Sequence, residues 1–166
     1  MTAVVTRLAE RYSTYIHDDH ILGYLKALKI VIAADDNISP KELHALRLGM
    51  RFMGVPEAVR LQVEEFDPLE VRLLQVLPSF RLGGLEARYM VRDAIELASS
   101  DGVYSPAERA AVNRIAGLLG VGTEMVRALE SLVELERATR RLKKALLPQG
   151  LPARAFSNGP FSQESL

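Results

Sequence analysis

The chain contains no cysteine and no tryptophan, and aromatic residues make up only 6% of its 166 positions. Without cysteine there is no disulfide scaffold and no thiol nucleophile. An excess of one charge is missing too: Lys plus Arg and Asp plus Glu both total 21. That balance excludes a surface built throughout to hold nucleic acid or an acidic membrane, so any charged patch must be local. Long apolar runs are absent as well. The most apolar segment, Ile21 to Ala34, is interrupted by Lys26 and Lys29 and is too short to cross a bilayer. The first residues carry Arg7, Glu10 and Arg11 where a secretory signal needs an unbroken apolar stretch. The expectation is a cytoplasmic protein. What is present is 48% hydrophobic and 25% charged residues, enough for one domain with a real core. Leu, Ala, Arg and Glu outnumber the β-branched residues, a balance that favours helix.

Apolar residues recur at Val5, Leu8, Tyr12 and Tyr15 and at Ile21, Leu25, Leu28 and Ile32, the three-to-four spacing of a helix face. The second of these helices is apolar nearly all round, which predicts a place in the middle of a bundle. Ser39-Pro40-Lys41-Glu42 opens a third with a capping box and proline at its first position, and Gly54-Val55-Pro56 closes it. A short helix over 56–65 should follow. Asp67-Pro68-Leu69-Glu70 repeats the cap chemistry and predicts another helix ending near Pro78. Further helices are expected from Gly84 to Ser99, from Ser105-Pro106 to Gly120, and over 123–146. After Leu147 the chain turns to Pro148, Gly150, Pro152, Gly159 and Pro160 among Ser, Gln and Asn, and no helix is expected there.

Sliding the sequence against itself by 66 positions reveals an internal repeat. Asp35, Ser39, Pro40, Glu42, Ala45, Gly54, Val55 and Glu64 recur as Asp101, Ser105, Pro106, Glu108, Ala111, Gly120, Val121 and Glu130. A capping box, a helix stop and an acidic loop residue thus stay in register. The expected architecture is all-α: a bundle of seven to eight helices over residues 1–147, built from two pseudo-twofold-related hairpin repeats at about 20–66 and 86–132. An unstructured tail, 148–166, follows.

The segments Ala33-Ala34-Asp35-Asp36-Asn37-Ile38-Ser39-Pro40-Lys41-Glu42 and Ser99-Ser100-Asp101-Gly102-Val103-Tyr104-Ser105-Pro106-Ala107-Glu108 both resemble the A-D-G-x-(I/Y)-S-x-x-E signature of TerB-like domains. That family includes the tellurite resistance protein TerB and the N-terminal domain of membrane-anchored J-domain co-chaperones. The resemblance spans roughly residues 15–135. It implies a helical fold and a bacterial stress-response setting. It also implies a role in binding divalent cations and in assembling protein complexes near the inner face of the cytoplasmic membrane. The acidic motif falls on Asp35 and Glu42 and on Asp101 and Glu108. The first copy has Asp36 where the signature has glycine; Asp tolerates left-handed backbone better than most residues.

Two readings of the acidic residues stay open. Asp35, Asp36 and Asp101 end helices, where the dipole disfavours an anion, and the free N–H groups of the next helix could compensate. Alternatively, these carboxylates with Glu42 and Glu108 ligate calcium or magnesium, which take oxygen ligands. An EF-hand is excluded, because Leu46 stands twelfth from Asp35. Glu42 and Glu108 are accounted for by their capping boxes alone. His17 and His20 are three apart and a weak transition-metal pair, and His44 is expected at the surface. Arg137, Arg140, Arg141, Lys143 and Lys144 give the last helix a basic end, which is either a solvated C-terminus or a contact for an acidic partner, anionic lipid or RNA. Phe156 and Phe161 are the tail's large apolar groups and could dock in a partner. Missing aromatics rank nucleic acid last among these. No nucleophile pattern or dinucleotide loop is present, so the expectation is a non-enzymatic module: a cation-binding one, or a metal-independent scaffold acting through the basic helix end and tail.

Overall fold

The structure, a computed structural model, describes residues 18–147; the first predicted helix, His17, Phe156 and Phe161 lie outside them. Helix is the regular secondary structure of the described residues, which fall into two compact units, 18–133 and 134–147. Six α-helices are present among them: α1 Asp18–Ile32, α2 Pro40–Phe52, α3 Glu57–Glu65, α4 Leu85–Ala98, α5 Pro106–Leu118 and α6 Thr123–Leu146. The 66-residue offset holds at the level of elements. Pro40 and Phe52 bound α2, Pro106 and Leu118 bound α5, and α1 and α4 end at Ile32 and Ala98. The helix stops match as well, since Gly54 and Gly120 adopt φ of 67° and 69°, the left-handed conformation that glycine takes at no steric cost.

In the first unit α1 packs on α3, α4 and α5, while α4 packs on α1, α2 and α5. Helix α1 buries Tyr24, Leu25, Leu28, Val31 and Ile32, in keeping with its nearly continuous apolar surface. Every residue of α4 from Met90 to Ala98 is buried, and this includes Arg92, Asp93 and Glu96. Burying three ionisable groups is costly unless each is paired. Here Arg92 Nη1 lies 3.3 Å from Asp93 Oδ1 and 3.2 Å from Glu96 Oε2, and the Tyr24 hydroxyl donates to Asp93 Oδ2 at 2.6 Å.

One expectation is overturned. The segment from Asp67 to Pro78 is not an α-helix but a string of turns around a 3-10 helix, Leu73–Gln75. Asp67 accepts from the Leu69 N–H at 2.9 Å, an Asx-turn that uses the carboxylate locally. The backbone then goes to tertiary packing: a Cβ on Gly23 would sit 2.3 Å from the Val76 carbonyl oxygen, so α1 receives this segment through a position that only glycine can occupy. Because that oxygen is backbone and cannot rotate away, Gly23→Ala should lower stability by about 1–3 kcal/mol. In an open helix the same change would gain about 1 kcal/mol. A urea melt measures the sign.

Candidate acidic site between the repeats

Each repeat builds its acidic loop by the same chemistry. Ser39 Oγ accepts from the Glu42 N–H at 3.2 Å and Glu42 Oε2 accepts from the Ser39 N–H at 2.8 Å. The second copy repeats this at 3.2 and 2.7 Å between Ser105 and Glu108. Both boxes satisfy helix N–H groups that would otherwise lack partners. In the loops, Asp35 Oδ1 accepts from the Asn37 N–H at 3.2 Å and Asp101 Oδ1 from the Val103 N–H at 2.8 Å. Asp36 is the residue that departs from the glycine of the signature, and it takes φ of 61°. The loop therefore keeps its turn with a side chain in place.

The two copies face one another at this end of the unit. Lys41 Nζ, on α2, reaches the Asp101 carbonyl of the other loop at 3.4 Å, and Asp36 lines one groove together with Ala107 of α5. Glu42 and Glu108 are each 3% exposed, and the Glu108 carboxyl lies near enough to act on the charge of Glu42. Burial pushes the Glu42 carboxyl up to about 7, and the Glu108 carboxyl beside it adds to the rise against the lowering by the Ser39 cap. Two acids from equivalent positions thus lie near one another in a desolvated place, and there Glu42 holds its proton up to near neutral pH.

The other acids do not converge on this pair. Asp35 and Asp36 are exposed and Asp101 is partly exposed. Among the described residues no group of three or more His, Asp or Glu side chains is placed to hold a metal ion. One or two carboxylates are the protein ligands that magnesium commonly takes. They do not suit a closed transition-metal site. Glu64 and Glu130 are taken up by arginines, Arg47 at 3.2 Å and Arg109 at 2.5 Å. His20 packs edge-to-face on Phe80 at 5.3 Å, and His44 is exposed.

In the unit 134–147, Arg141, Lys143 and Lys144 are exposed and Arg140 donates to the Glu136 carbonyl at 3.3 Å. Sequence reasoning missed two features. Lys29 is buried and donates to the carbonyls of Val63, Glu64 and Phe66 at 3.0, 2.8 and 2.7 Å, so an ammonium closes the C-terminus of α3. The charged cluster of α4 was equally hidden; its only sequence signal is the i,i+4 spacing of Arg92 and Glu96.

No family model matches the chain, and no curated protein matches it. Among solved structures, a tellurite resistance protein from Nostoc punctiforme superposes with a TM-score of 0.69 at 22% identity, over 92% of this chain and 99% of that one. The fold is TerB-like. The resemblance carried by the two acidic motifs therefore extends to the architecture of the chain. None of the described helices is long and apolar enough to cross a membrane.

Proposed function

We propose that this TerB-like protein is a non-enzymatic stress-response module that takes up a divalent cation, magnesium or calcium, between its two repeats. The observation that carries this reading is the meeting of Glu42 and Glu108 from equivalent positions in a buried place. A lone pair of acids there is unfavourable in its ionised form, and either a shared proton or a cation relieves it. Glu42 and Glu108 would supply the protein ligands. The loops of Asp35, Asp36 and Asp101 would add negative potential around them. The tellurite resistance protein that shares the fold supports a stress-response setting.

Thermal melts with magnesium, calcium, manganese and zinc test the proposal. An ion present at about one hundred times its dissociation constant should add about 2.7 kcal/mol, and Glu108→Gln should remove the shift while preserving the cap. Midpoints that no ion moves would end the cation reading.

A metal-independent scaffold is the second reading. It is favoured by a groove of about 820 Å³ lined by Ile30, Ala34, Leu69, Leu74, Ala111 and Arg114, with Leu69 and Leu74 strongly exposed. In that reading partner proteins engage the groove, the basic helix end and the tail, and truncation after residue 147 lowers their recovery in a pull-down whatever the cation.

A further inference from the structure

The second unit, residues 134–147, has two faces of opposite chemistry. Leu135, Leu142 and Leu146 are 65%, 61% and 74% exposed. At about 100° per residue they fall within roughly 40° of one another, with Ala138 and Ala145 beside them. Arg141, Lys143 and Lys144, all exposed, occupy the remaining arc together with Arg137 and Arg140. After Glu136 the chain has no acid before Glu164. Single exposed leucines are ordinary. A leucine stripe flanked by Arg141 and Lys143, with acids only in the first turn at Glu134 and Glu136, is not, and it has the pattern of a helix that lies in a membrane interface.

Other occupants use only half of this surface. A second copy would pair a short seam of three leucines, well below the roughly 1,200 Å² of a stable interface, and would bring two clusters of cations together. A single-stranded nucleic acid would engage the cations but leave the leucines in water, and no aromatic side chain is present for stacking. An anionic bilayer meets both faces, with phosphates for the cations and the acyl boundary for the leucines. We infer that residues 135–146 form an interfacial helix that seats Leu135, Leu142 and Leu146 in an anionic phospholipid surface and places Arg141, Lys143 and Lys144 on its headgroups. The helix lies along the surface and does not cross it.

Sedimentation of the full chain with vesicles, without divalent cations so that the outcome is independent of the Glu42–Glu108 site, tests this. Vesicles of phosphatidylcholine with about one third phosphatidylglycerol should bind the protein at least about tenfold better than phosphatidylcholine alone. Raising salt from about 0.1 to 0.5 M should weaken that binding. The double variant Leu142→Gln/Leu146→Gln should bind at least about tenfold more weakly, and Arg141→Gln/Lys143→Gln/Lys144→Gln about a hundredfold. All five side chains are exposed, so thermal midpoints and helicity should match the wild type. Failure to bind anionic vesicles, equal binding to both compositions, or wild-type binding by the leucine variant would each overturn the inference. So would a lipid-free dimer that the leucine variant dissolves, which would assign the stripe to a second copy.

Discussion

Glu42→Gln is expected to be more stable than the wild type at pH 8 by up to about 3 kcal/mol, and to lose that advantage by about pH 4.5. Folding raises the Glu42 carboxyl from 4.5 to about 7, so between those values the folded state holds a proton that the unfolded chain has released. The Glu42 contribution to wild-type stability therefore falls as pH rises from 4.5 to 7 and is level above that. A glutamine is neutral throughout and still accepts from the Ser39 N–H, so it keeps the cap and removes the charge. The gain corresponds to roughly 6–12 °C in midpoint for a chain of this size. Glu42→Ala separates the two roles. It relieves the same repulsion but leaves the Ser39 N–H without its carboxylate, and should fall below Glu42→Gln by about 0.5–2 kcal/mol. Saturating magnesium should narrow the difference between wild type and Glu42→Gln by stabilising only the wild type.

Lys29→Met should cost about 3–5 kcal/mol. The ammonium satisfies three carbonyls at the end of α3, and methionine fills the same volume with no donor. Those oxygens would remain beside a buried helix face with nothing to replace the charge. Amide exchange should accelerate first in residues 60–66, ahead of the rest of the unit, because that is where the last turn of α3 loses its closure. Lys29→Arg should not restore stability, since a planar fork cannot converge on three carbonyls as a compact ammonium does.

Much of the fold could be read from local rules. Both capping boxes, both left-handed glycine stops and the starts of α2 and α5 follow from residues within a few positions of one another, where turn and cap chemistry acts. The 66-residue repeat extended that reading to matching elements in the two halves. The misreading of 67–78 has the same local origin in reverse. Asp67-Pro68-Leu69-Glu70 looks like a helix start, but its carboxylate closes a turn, and a tertiary contact through Gly23 claims the backbone that follows. Lys29 and the Arg92, Asp93 and Glu96 cluster could not be read because their burial depends on distant partners such as Val63 and Tyr24. The candidate site stands between these cases. Each glutamate's cap was legible, whereas the contact between the two caps is a long-range consequence of how the copies pack.

Carboxyl-carbon NMR of Glu42 and Glu108 across a pH series, with and without magnesium, reaches the central claim most directly. An acid that exchanges its proton for a cation should show Glu42 titrating near 7 without the ion and at clearly lower pH with it, while the Glu108 resonance moves on addition of the ion. A Glu42 carboxyl that titrates near 4.5 and is unmoved by magnesium or calcium would contradict the account.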